Sequence, residues 1–258
     1  MIRGLFYYCL KKQTQYRLNF ILLCIVVIPV HLIQMIFSII IVEKFGFLAE
    51  WSKWDLVFLY GIFMTSYSVA QIFFRQFRYL ENYIINGQLD CYYIRPQSIM
   101  FSLIFYNLNI LEIFSQFLPS LIVLLIACAN VSIVWNIKKI LVLIYSLLVG
   151  TAIISTIFIW IGCASFWLMS SSQLEEIFFA FKDFMNYPIT IYGKTVAFFL
   201  SYVLPLAFVN YYPATYLLGK NNEDINVIFL EAFISILLFI MTKKLWKISI
   251  KHYESSGN

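Results

Sequence analysis

The 258 residues are 62% hydrophobic and 12% charged, with a net charge of +5 at pH 7 and a mean hydropathy of +0.84. A soluble domain is roughly 45–50% apolar and about 25% charged, so the composition excludes an ordinary soluble enzyme or binding module and describes an integral membrane protein with no expected nucleic-acid partner. The five cysteines, Cys9, Cys24, Cys91, Cys128 and Cys163, have no C-x-x-C spacing and argue against a metal site or a disulfide framework.

At the N-terminus, Ile2, Leu5, Phe6 and Cys9 share one side of a helix and Lys11, Lys12 and Arg17 follow. This predicts a basic amphipathic segment over residues 1–19, lying at the headgroup level. A polar leader that only sets topology is the alternative. The apolar run from Phe20 is too long for a signal-peptide core and has no small-residue cleavage site after it.

Crossing a hydrocarbon layer about 30 Å thick takes ~20 apolar residues as helix, because every backbone amide must be satisfied within its own segment. Six stretches qualify: 20–42, 56–74, 110–134, 140–168, 196–212 and 225–242. The expected fold is all-α, one polytopic transmembrane domain over residues 1–258. Pro119 in the third span and Pro205 in the fifth predict kinks.

Between spans two and three, residues 75–97 form a compact polar loop. Phe77, Leu80 and Ile84 make a short apolar stripe ending near Ile85, and Gly87 is placed to cap it in the left-handed conformation. A second short element over 88–94 must stop before Pro96, since a residue preceding proline is pushed out of helix. Two short helices joined by Gly and closed by Pro make a stiff knob.

Charge is sparse inside the spans, where an Asp at a helix centre costs about 2.5–3.5 kcal/mol on insertion scales. Glu112, with Asn107, Asn109 and Gln116 nearby, and Glu231 in the sixth span are candidates for a translocation path. The competing reading puts Glu112 within reach of headgroups or Arg95, and Glu231 near the outer end. His31 reads as a packing residue.

Over residues 171–187, Ser172 and Glu175 have capping-box spacing, and Leu174, Ile177, Phe178, Phe181, Phe184 and Met185 recur at helical spacing before Pro188. Glu176, Lys182, Asp183 and Asn186 fall largely elsewhere on the wheel. A cytoplasmic, interfacial amphipathic helix is expected there. Trp51, Trp54, Trp135, Tyr211, Tyr212 and Trp246 flank the spans as interfacial belts.

Orientation follows from the basic residues. With the N-terminus inside, 13 of the 18 Lys and Arg fall on cytoplasmic flanks and five outside. Both termini and the knob are therefore expected in the cytoplasm of a plasma-membrane protein. Arg75 reads as topogenic, and Arg78 is left open between a topogenic charge and a partner contact.

Catalytic constellations are missing from the sequence. Gly193-Lys194-Thr195 resembles the end of a phosphate-binding loop, but Pro188 stands where its first glycine belongs. His31 and His252 are too far apart for an H-E-x-x-H site, and Glu175-Glu176 lacks the His partners of a membrane protease. No metal and no enzyme activity are expected of this chain.

"NGQLDCYYIRPQS" (86–98), "YPITIYG" (187–193) and "VLPLAFVNYYPATYLLG" (203–219) resemble the membrane subunits of a bacterial branch of the ABC type-two exporter permeases. The resemblance covers nearly the whole chain; the Gln97-Ser98 pair and the Ile- and Phe-rich spans depart from it. It implies that the chain pairs with a second permease, a copy or a paralogue, and engages a separate cytoplasmic ABC ATPase. That ATPase carries the ATP and Mg, so no cofactor is expected here. It further implies that the knob is a coupling helix seated in an ATPase cleft, with Gly87, Leu89, Asp90, Tyr93, Arg95 and Pro96 as coupling residues. Glu112, Gln116 and Glu231 are the candidate path residues. The expected cargo is lipid-like, peptide or amphipathic. The residues by themselves leave open an ATP-independent channel, an immunity protein or a scaffold.

Overall fold

The computed structural model describes residues 9, 11, 17–45, 51–168, 170–220 and 226–253, and these are helical with connecting turns. The N-terminal amphipathic segment lies outside the described residues, apart from Cys9, Lys11 and residues 17–19.

Helix α1 spans Arg17–Phe45 and α2 spans Lys53–Arg78. The α2 start is a capping box: Ser52 Oγ accepts from the Asp55 N–H, and Asp55 accepts from the Ser52 N–H at 2.8 Å. Lys220 pairs with the same carboxylate at 3.0 Å and so fixes residue 220 at this end of the bundle.

The second helix is the axis of the fold. It is buried all round from Leu56 to Phe63, and the apolar window beginning at Lys53 is 83% buried, against 28% for the window at Ile113–Asn130 and 39% for Ile137–Ala164. A helix apolar on every side is a core helix or a membrane span; this one is buried at the core and is long and apolar enough to cross a membrane. At Gly61 a Cβ would come 2.9 Å from Leu124 Cα, so the glycine sets the close approach of the third segment. Close backbone packing through small residues is what holds helices together where lipid is as apolar as leucine.

After α2 come α3 (Leu80–Ile85) and α4 (Asp90–Tyr93), the two short helices expected around Gly87. The third segment is broken into α5 (Ile99–Tyr106), a π-helical turn at Ile113–Phe117 and α6 (Leu118–Asn130). The irregularity expected at Pro119 therefore takes the form of a widened turn just before it, where the proline's missing N–H and its ring disturb the preceding turn. Helix α7 spans Ile137–Ala164, with Asn136 accepting from the Lys139 N–H at 2.8 Å.

The region after α7 corrects two expectations. Helix α8 (Ser172–Phe184) does not lie across one end of the bundle. Glu175 meets Arg78 at the last turn of α2, Phe178 and Lys182 meet Tyr67, and Asn210 Nδ2 donates to the carbonyls of both Met185 and Leu59. Helix α8 therefore runs along α2 from its knob end towards its Ser52 end.

The segment expected as the fifth span then turns back. Short α9 (Lys194–Phe198) continues into a π turn at Phe199–Val203. The chain breaks at Leu204 and returns through Pro205–Phe208 and α10 (Tyr211–Leu217), with the two limbs bent by 71°. Residues 185 and 210 lie together at the level of Leu59, whereas Leu204 shares a hollow with Trp160 and Leu174 deeper in the bundle. The segment dips in and comes back out.

Helix α11 (Asn226–Lys251) continues past Thr242, where the sixth span was expected to end, and its last turns reach the knob. Three helices are long and apolar enough to cross a membrane, and the bent pair would be a fourth if taken as one span, among the described residues. Several aromatic residues expected in interfacial belts are instead packed inward. Trp51 is tilted against Tyr211 at 5.9 Å, Trp135 Nε1 donates to the Cys128 carbonyl at 3.0 Å, and Trp246 meets the edge of Phe77 at 5.4 Å.

Candidate functional site

The knob is built from the inside outward. Leu89 is fully buried in a small core with Phe77, Leu80, Tyr92, Leu103, Ile159, Cys163 and Trp246. Gly87 adopts φ 63°, a left-handed conformation that costs a residue with a Cβ roughly 1–2 kcal/mol. Its N–H donates to the Ile84 carbonyl, and the Leu89 N–H donates to Tyr83, each at 3.1 Å. Helix α4 ends at Tyr93, ahead of Pro96. Close backbone contact at Gly162 seats the knob on α7, because a Cβ there would collide with the Phe77 carbonyl.

Three ties then fix the knob to the rest of the chain. Asp90 accepts from the Tyr253 hydroxyl at 2.8 Å, and Tyr93 stacks on Tyr253 at 5.2 Å and donates to the Ile250 carbonyl at 3.0 Å, which joins the knob to the end of α11. Burial, and secondarily the charge of Asp90, holds the Tyr93 hydroxyl above its ordinary pKa, so it stays a proton donor at neutral pH. Arg95 lies over the rings of Tyr106 at 4.0 Å and Tyr92 at 5.0 Å, joining the knob to α5.

The tie to α8 is made by Glu81, which accepts from the Ser171 N–H at 2.6 Å and from the Ser171 and Ser170 hydroxyls at 3.1 and 3.4 Å. A carboxylate from α3 thus caps the first turn of α8, where unpaired N–H groups favour an anion. This corrects the expected Ser172–Glu175 capping box: the N-cap residue is Ser171, it makes no side-chain cap, and Glu175 is committed to Arg78.

Leu89 is turned into the bundle and Asp90 and Arg95 are half-buried, while Tyr93, although tied to α11, stays 40% exposed and shares the outer surface of the knob with others. Ile94 is 85% exposed and Ile85 54%, with Gln88, Cys91 and Pro96 also exposed.

Behind the knob a polar cleft of about 410 Å³ runs into the bundle, lined from α1, α2, the Glu112 region and α8. Its spine is Met64, Tyr67, Gln71, Arg75 and Arg78, spaced to fall on one face of α2. Arg78, only 3% exposed, donates to Glu175 and to Gln71 Oε1, both at 2.7 Å, and Gln71 donates to the Tyr67 hydroxyl at 2.6 Å. Arg75 pairs with Glu112 at 2.7 Å, and Asn109 adds a donor at 3.1 Å. His31 Nδ1 is 2.8 Å from the Tyr60 hydroxyl, as its packing role requires. Lys182 lies over the faces of Tyr67 and Phe179 at 5.1 and 5.5 Å.

The cleft brings together Glu112 and Gln116 of the expected path residues and leaves Glu231 apart. Glu231 is fully buried, where the Ser146 hydroxyl of α7 donates to it at 3.4 Å. Glu112 meets Arg75, not Arg95. Sequence reasoning missed Glu81, Tyr253 and the pairing of Arg78 with Glu175. The Met64-to-Arg78 spacing was visible; which partner helix it faced was not.

The sequence profile described as "ABC-2 family transporter protein" matches residues 10–257. The chain belongs to the ABC-2 transporter membrane family. No curated protein and no solved structure matches it. It is accordingly a membrane-integral permease subunit of an ABC transporter. In this permease the Arg78–Glu175 pair lines the knob end of the polar cleft.

Proposed function

We propose that this permease forms one half of the membrane pathway of an ATP-driven exporter in the plasma membrane. A separate cytoplasmic ABC ATPase hydrolyses Mg-ATP, and a second permease, a copy or a paralogue, completes the pathway. In this reading an even number of segments cross the membrane, so that both termini and the knob are cytoplasmic. The excess of Lys and Arg on that side supports the orientation. The cargo is an amphipathic or lipid-like molecule.

The observation that carries the reading is the bracing of the knob: Glu81 to α8, Asp90 and Tyr93 to α11, Arg95 to α5. A loop that only connects two spans has no use for ties to three other elements; a lever has. A push on the knob by a closing ATPase reaches α8 and α11 with few free torsions in between. Ile94, exposed at the apex of a cytoplasmic element, is the natural apolar anchor for a partner cleft.

The test is purification of the tagged permease from native membranes in mild detergent, with its companions identified by mass spectrometry. An ABC ATPase at stoichiometric amount is expected, and Ile94→Glu should reduce it about tenfold or more while the permease still inserts. Asp90→Asn with Arg95→Gln should retain the ATPase and lose stimulation of hydrolysis by cargo. A chain that purifies alone in several detergents would instead support the channel or scaffold reading.

A further inference from the structure

We propose that the polar cleft is a binding site for the anionic headgroup of an amphiphile, with Lys182 as the cation that receives it; this rests on the permease reading and specifies its cargo.

Five ionisable side chains of fixed sign line the cleft: Arg75, Arg78, Lys182, Glu112 and Glu175. Both carboxylates are spent, Glu112 on Arg75 and Glu175 on Arg78. Lys182 has no carboxylate within ion-pair distance among the described residues. Its ammonium lies over the rings of Tyr67 and Phe179, with Arg78, His31 and Asp183 as its charged or titratable neighbours. Arg78 likewise keeps a buried Nε–H with no acceptor. A cation held in a largely desolvated place over ring faces is poised for a stronger, charge-assisted bond to an oxyanion.

Of the acidic side chains nearest to Lys182 in sequence, Asp183 acts on it through its charge, but from outside the cleft lining. Asp183 and Glu176 are exposed and lie on the adjoining face of α8, outside the cleft lining. The wall therefore carries one more positive than negative charge.

Shape matches charge. Along α2 the lining passes from Arg78 and Arg75 at the knob end, through Gln71 and Tyr67, to Met64, and α1 adds Val27 and Val30. A molecule with an anionic head and an acyl or alkyl tail finds guanidinium groups at one end of the cleft, an ammonium part-way along it, and apolar side chains beside that. Arg75 is about one-third exposed at the side chain, so the Arg75–Glu112 pair marks the mouth, and the net positive charge that draws in an anion from the cytoplasmic leaflet is that of Lys182. The phosphate or carboxylate head could belong to the exported molecule or to a resident bilayer lipid; both present the same chemistry.

The test uses the purified permease, with any ATPase that accompanies it, in a neutral maltoside detergent. Dodecyl phosphate, dodecyl phosphocholine and dodecyltrimethylammonium, which share one tail, are titrated by calorimetry. Dodecyl phosphate should bind about tenfold tighter than the phosphocholine. Lys182→Gln should remove that preference and Lys182→Arg should restore it, with size-exclusion profiles showing both variants folded. Equal binding of the three amphiphiles, preference for the cationic one, or full anionic preference in Lys182→Gln would each overturn the assignment. Dodecyl phosphate that binds and stimulates hydrolysis in vesicles of phosphatidylcholine marks exported cargo; binding without stimulation marks a resident anionic lipid. If an ATPase co-purifies but binding is blind to charge, the site assignment fails while the permease reading stands. If anionic preference appears without any ATPase, the reverse holds.

Discussion

The knob and the cleft meet near the Arg78–Glu175 pair at the cleft's knob end, and they use their carboxylates in opposite ways. In the knob, Glu81 and Asp90 are satisfied by neutral donors from distant parts of the chain: an amide and two serine hydroxyls for one, a tyrosine hydroxyl for the other. In the cleft, Glu112 and Glu175 are each paired with a guanidinium group of α2, and Asn109 and Ser115 add neutral donors to Glu112. Neutral donors join elements and leave the carboxylate's charge in place near water. Guanidinium partners cancel it, which lets a carboxylate sit within the bundle and leaves Lys182, without a carboxylate partner among the described residues, to set the sign of the site. The first arrangement suits a part that moves as one body; the second suits a part that must recognise charge.

The comparison can be broken most severely at the pair where they meet. Arg78→Met leaves Glu175 and Gln71 without their shared donor and should lower stability by about 3 kcal/mol, read as a fall in the thermal midpoint in detergent. Adding Glu175→Gln should recover most of that loss, because the uncompensated charge is then gone. A smaller effect is expected at the seat of the knob. Gly162→Ala forces α7 away from the Phe77 carbonyl and should cost about 1–3 kcal/mol, with less permease recovered from membranes.

Glu81→Gln sharpens the contrast. The amide oxygen still accepts from Ser171, but the charge at the first turn of α8 is lost, for about 1 kcal/mol. Stability should change little, and stimulation of hydrolysis by cargo should fall severalfold. Smallest is Tyr253→Phe, which removes one donor to Asp90 and keeps the ring on Tyr93. A loss of about 1 kcal/mol or less is expected, seen as faster hydrogen exchange across residues 88–94.

The helical fold, the positions of the apolar helices outside the fifth segment, and the left-handed turn at Gly87 were legible in the sequence, because apolar run length and the absence of a Cβ are local properties. The fifth segment was misread because two cues conflicted. The run from Val196 is apolar enough for a span but returns on itself at Leu204. Helix α8, with Glu175, Glu176, Lys182 and Asp183, is too polar for the usual span pattern, and it lies against α2 because Arg78 and Tyr67 meet that polarity from the other side. Such matching is tertiary, and one sequence does not reveal which charges meet. The same holds for Glu81, whose Ser171 partner is 90 residues away, and for Asp90 and Tyr93, whose partners lie at the far end of the chain. The sequence reading placed these two at the coupling surface; both are bonded to the end of α11, Tyr93 stays 40% exposed, and Ile94 is the most exposed apolar side chain of the knob.

The account depends on the knob and the start of α8 moving together. The direct measurement is the distance between spin labels on the exposed Cys91 of the knob and on Gln173→Cys in the first turn of α8, with the other cysteines replaced, in the complex with its ATPase. The account predicts the same narrow distance distribution with and without bound ATP, and a broader one in Glu81→Gln. A distribution that shifts by several ångströms when ATP binds to the unaltered knob would show that the knob slides past α8, and would contradict it.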